Sequence, residues 1–176
     1  MRTKILSTFF MCFIILIALS QEKKTACSSH FKPEVRETED IHIVYYEFTG
    51  PYKDSFNDFG MLMAYLKKNE IELGAYSLGV FYDDPAEVPA EKLRSEPAHA
   101  VTGPVEVGDG FKYKKIPAGK AVSVKYTSME EIMPAYEAIG KYIVENELKT
   151  VTYSIEIYYS YDENTMDVEI LMMLAE

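Results

Sequence analysis

The sequence contains one segment twice, at an offset of 77 residues. Residues 77–82 (SLGVFY) match residues 154–159 (SIEIYY), and residues 65–70 (YLKKNE) match residues 142–147 (YIVENE). An internal repeat constrains a fold more than composition does, because each copy must form the same supersecondary unit. The repeat predicts a fold built from two copies of one unit.

Each copy has the pattern of a strand, a helix and two further strands. Runs rich in valine, isoleucine and tyrosine that end at glycine, proline or aspartate predict the strands. We expect them at residues 41–48, 76–82, 98–102, 121–126, 151–159 and 168–174. Apolar residues at steps of three and four predict a helix between the first two strands of each copy. The expected helix starts are Ser55, and a capping box of Ser128 and Glu131.

These elements predict an α+β fold made of duplicated β-α-β-β units related by a pseudo-twofold axis. We expect a mixed, largely antiparallel sheet with two main helices on one side and a ligand cleft on the other. Side chains alternate between the two faces of a strand. The more apolar row of the last repeat, Ile155 and Ile157, is expected to meet the helix. The other row, with Ser154, Glu156 and Tyr158, is expected to line the cleft.

The two copies differ at the centre of the matched strand, where Gly79 in the first copy corresponds to Glu156 in the second. The same alternation places Phe81 and Tyr158 on the face of this mismatch. A carboxylate between aromatic rings attracts a lipophilic cation by Coulomb energy and by cation–π contact. The alternative is a glutamate that faces solvent or pairs with a lysine such as Lys125.

The first 20 residues have the pattern of a secretory signal peptide, with Arg2 and Lys4 before an apolar run. This run is shorter than the roughly 18 residues that a membrane span requires, so cleavage is expected over a permanent anchor. We divide the chain into a signal peptide or anchor at 1–20, a polar linker at 21–40 and one domain at 41–176. Cys12 leaves with the signal, so the mature chain keeps only Cys27 and forms no internal disulfide.

The formal charge of −10 leads us to expect no nucleic-acid partner, because binding to phosphates depends on lysine and arginine. An acidic protein suits a cationic ligand better. The three histidines, His30, His42 and His99, lack the spacing of metal ligands, so no metal or other cofactor is expected.

An ordered set of segments resembles the GyrI-like domain, also called the bacterial regulatory-factor effector-binding fold. The segments are residues 79–85 (GVFYDDP), 88–89 (VP), 92–95 (KLRS), 116–119 (IPAG) and 155–158 (IEIY). The resemblance extends from about Ile41 to Leu174. It implies that Glu156 lies at the base of an aromatic pocket for lipophilic cations and that Tyr158 lines that pocket.

We therefore predict a secreted or envelope-tethered binding domain for a small amphipathic, cationic molecule, acting as a monomer or weak homodimer. Glu156 supplies the charge, Tyr158 and Phe81 stack on the ligand, and Gly79 leaves room for it. Weaker candidates for the pocket wall are Tyr46, Tyr126, Tyr136 and Leu171. One alternative is a small hydrolase in which Glu156 and water open a strained or electrophilic compound. Another is a protein-interaction module held at the membrane by an uncleaved N-terminal segment.

Overall fold

The computed structural model describes residues 30–161 and 166–175. The predicted signal segment and Cys27 lie outside these residues. The strands are β1 (Glu34–Thr38), β2 (Ile41–Tyr45), β3 (Phe48–Thr49), β4 (Leu73–Phe81), β5 (Arg94–Val101), β6 (Lys112–Ile116), β7 (Gly119–Tyr126), β8 (Thr150–Tyr161) and β9 (Met166–Leu174). The α-helices are α1 (Phe59–Lys68) and α2 (Ile132–Glu145).

All nine strands belong to one sheet, in the order β1-β7-β9-β8-β4-β5-β2-β6, with β3 paired to β5. Every pairing is antiparallel. The order is symmetric about the central β8–β4 pair, so that the unit β2-α1-β4-β5 lies on one side and the unit β7-α2-β8-β9 on the other. The predicted α+β architecture is confirmed.

Both helices cover the same face of the sheet. Leu62 and Leu66 of α1 pack on Val44 of β2 and Val101 of β5. Ala135 and Ile139 of α2 pack on residues of β7 and β9, namely Val122, Val124, Tyr126, Val168 and Ile170. The registers join Val44 to Tyr126 in one row across the sheet, so the two helices lie on the same face, over opposite halves of the sheet.

The opposite face has a core made of strand side chains alone. It consists of Ile41, Ile43, Tyr45, Leu78, Val80, Ala98, Ala100, Ile116, Ala121, Ile155, Ile157, Leu171 and Met173. Within the described residues, neither α1 nor α2 lies over this cluster, and its members pack against one another. The prediction that Ile155 and Ile157 meet a helix is therefore wrong, and the row of Glu156 and Tyr158 faces the helices.

The local helix starts differ from the predicted ones. The Ser55 hydroxyl donates to the carbonyl of Tyr52 at 2.8 Å, within a 3-10 turn, and α1 begins only at Phe59. Ser128 makes no capping hydrogen bond, and the Glu131 carboxylate instead accepts the backbone N–H of Thr127 at 2.8 Å. The residues between this turn and α1 include Phe56, and the rings of Tyr52 and Phe56 pack against Phe81 and Tyr158 of the sheet.

Sequence patterns also missed the short strands at the edges. β1 lies in the segment expected to be a polar linker, and it pairs with β7 from Glu34 to Thr38. β6 pairs with β2 and forms the other edge. Among the described residues, no helix combines the length and the apolar character needed to cross a membrane.

Candidate ligand site at Glu156

Gly79 and Glu156, the pair that distinguishes the two copies, lie directly opposite each other in the structure. β4 and β8 are antiparallel, and their register pairs Gly79 with Glu156, Ser77 with Tyr158 and Phe81 with Ser154. Residues that pair across antiparallel strands point to the same face. All of these side chains therefore face the helices, at the middle of the sheet.

The Glu156 carboxylate is buried, with 8% of the residue exposed, and it accepts three hydrogen bonds from tyrosines. Tyr136 of α2 donates to Oε1 at 2.8 Å. Tyr158 and Tyr126 donate to Oε2 at 2.7 and 3.2 Å. The Tyr136 hydroxyl also lies 3.2 Å from the Ser154 hydroxyl. Helix α2 and strands β7 and β8 thus each contribute one donor to the same carboxylate.

Burial and the nearby carboxylate keep two of these tyrosines protonated. Desolvation raises the pKa of Tyr136 and of Tyr158 well above 10, and the charge of Glu156 raises both further. A protonated tyrosine hydroxyl is a hydrogen-bond donor with an apolar ring attached. The carboxylate is therefore held by groups that carry no positive charge.

No basic side chain neutralises this carboxylate within residues 30–161 and 166–175. No lysine, arginine or histidine nitrogen of that part of the chain lies within 4.0 Å of a Glu156 oxygen. Lys125, the partner considered above, lies on the other face of the sheet, 5.1 Å from the centre of the Tyr159 ring. The simple alternative of a surface salt bridge is therefore wrong for Glu156.

Aromatic rings cover the side of the site nearest α1. A Cβ atom added to Gly79 would lie 2.7 Å from the Phe81 ring and 3.3 Å from the Phe56 ring. Phe56 also packs edge-on against Tyr158, with ring centres 5.4 Å apart. Phe81 in turn packs against Tyr52, at 4.9 Å. The absent side chain at Gly79 lets these rings pack over the strand directly opposite Glu156.

Comparison with known proteins identifies the fold family. Residues 31–175 match the family model described as the GyrI-like small molecule binding domain. The chain belongs to the GyrI-like family. A search of curated proteins gave no match.

Solved structures support the same assignment of the GyrI-like fold. The C-terminal domain of EcmrR aligns with a TM-score of 0.72 at 16% identity, over 84% of this chain and 99% of that chain. EcmrR in its DNA complex, within EcmrR-RPo, aligns with a TM-score of 0.73 at 13% identity, over 97% of this chain and 69% of that one. SAV2435 bound to tetraphenylphosphonium aligns with a TM-score of 0.53 at 14% identity, over 82% and 94%. At these identities the likeness shows the fold.

One expectation from the sequence is contradicted by these comparisons. We expected no nucleic-acid partner, yet EcmrR, whose domain shares the GyrI-like fold, occurs in a complex with DNA. The charge argument concerned direct contact between basic side chains and phosphates. Net charge does not decide whether a GyrI-like chain takes part in an assembly that contains DNA.

Six of the eight predicted site residues lie together around the Glu156 carboxylate and Gly79. They are Glu156, Tyr158, Tyr126, Tyr136, Gly79 and Phe81. Leu171 does not belong there, because it pairs with Ile155 and is buried in the core of the opposite face.

Tyr46 also lies away from Glu156. Its hydroxyl donates to the Ser55 carbonyl at 2.6 Å, and burial raises the pKa of Tyr46 to about 12. It lines a separate surface cavity of about 190 Å³ together with Asp58, Met61, Asp109, Gly110 and Phe111.

Sequence reasoning missed Phe56 as a site residue, because the 3.6-residue spacing assigned it to the buried face of a helix. It lies instead in the turn before α1, where its ring reaches Tyr158. A cavity of about 360 Å³ lies at the edge of the sheet and is lined in part by Tyr126, Ser123, Glu131 and Phe31. Tyr126 thus contacts both this cavity and the carboxylate of Glu156.

Proposed function

We propose that this GyrI-like domain binds a small amphipathic cation between its two helices, with Glu156 as the anionic contact. The observation that carries the proposal is a buried carboxylate that has tyrosine donors and, among the described residues, no basic partner. A buried charge without a counter-ion is costly to a protein. A cationic ligand would supply the missing charge.

The surrounding rings suit the apolar part of such a ligand. The rings of Phe56 and Phe81 pack over Gly79, the residue opposite Glu156, and Tyr158 contacts both Phe56 and the carboxylate. A cation within about 6 Å of an aromatic ring gains roughly 0.5–2 kcal/mol per contact, the larger values applying where water is excluded. The solved complex of SAV2435 with tetraphenylphosphonium shows that a protein of this fold binds a compound of this class.

Because the site is filled by its own rings, binding requires a local rearrangement. The hydroxyl of Tyr158 lies 2.7 Å from the carboxylate, and its ring contacts Phe56. We expect one or both of these rings to turn outward as the ligand enters. Such a change keeps the sheet intact, since the Phe56 and Tyr158 side chains lie on the helix side of the sheet and not in the core of the opposite face.

The test is a calorimetric titration with tetraphenylphosphonium. Glu156→Gln keeps the shape of the side chain, removes its charge and should weaken binding at least tenfold, about 1.4 kcal/mol. Glu137→Gln removes the charge of an exposed glutamate next to Tyr136 and should change the affinity less than twofold. Triphenylphosphine oxide, a neutral aromatic compound, should bind wild type and Glu156→Gln equally. Equal affinity of wild type and Glu156→Gln for tetraphenylphosphonium would refute the role of Glu156.

A turnover assay with wild type and Glu156→Gln distinguishes binding from catalysis. If Glu156 activates water, an electrophilic substrate should give product that increases with time and depends on Glu156. The binding proposal predicts saturation without turnover.

The proposal includes location and origin. We place the domain outside the cytoplasm, after cleavage at residue 20 or as a tethered form, and sequencing the mature N-terminus tests this. A start at Gln21 supports release, and an intact Met1 supports the anchor.

The symmetric strand order supports origin of the two halves by duplication. Superposition of residues 41–102 on residues 119–174 should then place Gly79 on Glu156.

A further inference from the structure

Two buried carboxylates lie on the face opposite the helices, at corresponding positions of the two halves. Glu96 of β5 pairs with Val80 of β4, and Glu169 of β9 pairs with Ile157 of β8. Val80 and Ile157 are equivalent in the 77-residue repeat. Glu96 is 8% exposed and Glu169 is 3% exposed. Neither faces Glu156, which points to the helices.

Each carboxylate binds a cation from an edge strand. Lys114 of β6 pairs in the sheet with Ile43 and forms a salt bridge with Glu96. Arg36 of β1 pairs with Ala121 and forms a salt bridge with Glu169 at 2.8 Å. Each network thus pairs a buried carboxylate with a basic side chain from an edge strand. The two networks differ in the other groups that contact the carboxylate and the basic side chain.

The Glu169 network is complete within the protein. Arg36 donates from Nε and Nη2 to the two carboxylate oxygens at 2.8 and 3.1 Å. Ser123 and Tyr159 donate their hydroxyls at 2.5 and 2.8 Å. Desolvation opposes the charge of Glu169, but the hydrogen bonds from Ser123, Arg36 and Tyr159 outweigh it and lower the pKa of Glu169 below 4.5. A two-pronged guanidinium contact of this kind is geometrically specific.

The Glu96 network is built around a single ammonium group. The Nζ atom of Lys114 contacts the Glu96 carboxylate and lies 2.9 Å from the Tyr82 hydroxyl. It also lies 4.8 Å from the centre of the Tyr45 ring and 5.6 Å from the centre of the Tyr82 ring. Tyr45 occupies the place that Ser123 has in the other half, as the registers show. A carboxylate with two tyrosine rings is a typical environment for an organic ammonium ion.

Lys114 can leave this environment more easily than the rest of the cluster. Its side chain is 28% exposed, whereas that of Glu96 is 11% exposed. Lys114 belongs to β6, which pairs only with β2 in the described part of the chain, while Glu96 belongs to a strand inside the sheet. A lysine stem is flexible and its ammonium is readily hydrated. Withdrawal of Lys114 would leave the carboxylate and rings in place.

We propose that Glu96, Tyr45 and Tyr82 form a second cation site, for a small organic ammonium ion, and that Lys114 is its internal occupant. An external ammonium compound binds by taking the place of the Lys114 ammonium group. Because a tethered group competes at a high effective concentration, wild-type protein binds such compounds weakly. This site is independent of Glu156 and lies on the other face of the sheet.

The experiment uses tetramethylammonium as the probe, with all variants made in a Glu156→Gln background so that the first site does not contribute. Lys114→Ala should bind the probe at least tenfold more tightly than the parent, because the competing ammonium is gone. Lys114→Ala combined with Glu96→Gln should lose that gain. Lys114→Met, which fills the space with an apolar chain, should also show no gain. Titration calorimetry measures affinity, and circular dichroism confirms that each variant is folded.

Arg36→Ala serves as the matched control in the corresponding network. It exposes a buried carboxylate without the Tyr45 ring, so tetramethylammonium should bind it no better than the parent. Equal affinity of Lys114→Ala and the parent would overturn the claim that Lys114 occupies a cation site. Because Tyr159 in the Glu169 network corresponds to Tyr82, an equal gain in Arg36→Ala would overturn the role assigned to the Tyr45 ring. If Lys114→Ala does not fold, Lys114→Ser, with a small polar side chain, replaces it, and absence of a gain there refutes the proposal.

Discussion

Gly79→Ala tests the packing of the candidate site. The added Cβ would lie 2.7 Å from two atoms of the Phe81 ring and 3.3 Å from the Phe56 ring. Carbon atoms in favourable contact are about 3.5–4.0 Å apart, so the Phe81 ring must move. Phe81 packs against Tyr52 at 4.9 Å, and it cannot turn without losing that contact. Overpacking of this kind costs about 1–3 kcal/mol.

The matched control is Gly140→Ala in α2. A Cβ at Gly140 would meet nothing within 4 Å, so the substitution should stabilise the helix by roughly 0.5–1 kcal/mol. The same chemical change thus has opposite signs at the two glycines. Urea unfolding followed by circular dichroism gives both values, and thermal unfolding should show a decrease of roughly 2–12 °C for Gly79→Ala. A Gly79→Ala variant as stable as wild type would refute the idea that this glycine exists to admit the rings.

Three further predictions test the rest of the structure. Leu171→Ala should lower the free energy of unfolding by about 2–5 kcal/mol and leave the affinity for tetraphenylphosphonium unchanged, because its cavity lies in the core of the opposite face. The pKa of Glu169 is lowered from 4.5, so its ionised form stabilises the fold above pH 4.5 and this contribution is lost as the pH falls below that value. Acid unfolding of Glu169→Gln should therefore show a smaller loss of stability below pH 4.5 than wild type does. Glu156→Gln should lower the pKa of Tyr136 and Tyr158, because the charge of Glu156 contributes to the upward shift of both. Ultraviolet absorbance titration of tyrosinate measures these pKa values. An unchanged titration curve would contradict the contacts between Glu156 and the two tyrosines.

The architecture was predictable because its determinants are local and occur twice. Strand patterns and helical spacing located both β-α-β-β units, and the strand order is symmetric about the β8–β4 pair. The edge strands β1 and β6 were not predictable in this way. β1 (EVRET) is polar, and within residues 30–161 and 166–175 it pairs with β7 alone, a partner more than 80 residues away.

The candidate site was predictable in part, because side chains alternate between the two faces of a strand. Alternation correctly grouped Glu156 with Tyr158, and Gly79 with Phe81, because those residues share strands of known phase. The alternation does not indicate which of the two faces the helices cover. The apolar row of Ile155 was assigned to the helices because sheets commonly bury one face, but here both faces of the sheet carry buried clusters. Leu171 was misplaced by the same uncertainty of face.

The position of Glu156 accounts for the difference between the two matched segments at this point. Gly79 and Glu156 are equivalent in the repeat and also pair with each other, so a pseudo-twofold axis would pass between them. Paired residues have Cβ atoms about 4.5–5.5 Å apart. Two glutamates at this point would bring two buried carboxylates together, an arrangement in which like charges disfavour ionisation of both. Two glycines would leave no charge. A single carboxylate at this pair therefore needs a residue without a carboxylate opposite it, and the glycine found there also makes space for the rings of Phe56 and Phe81.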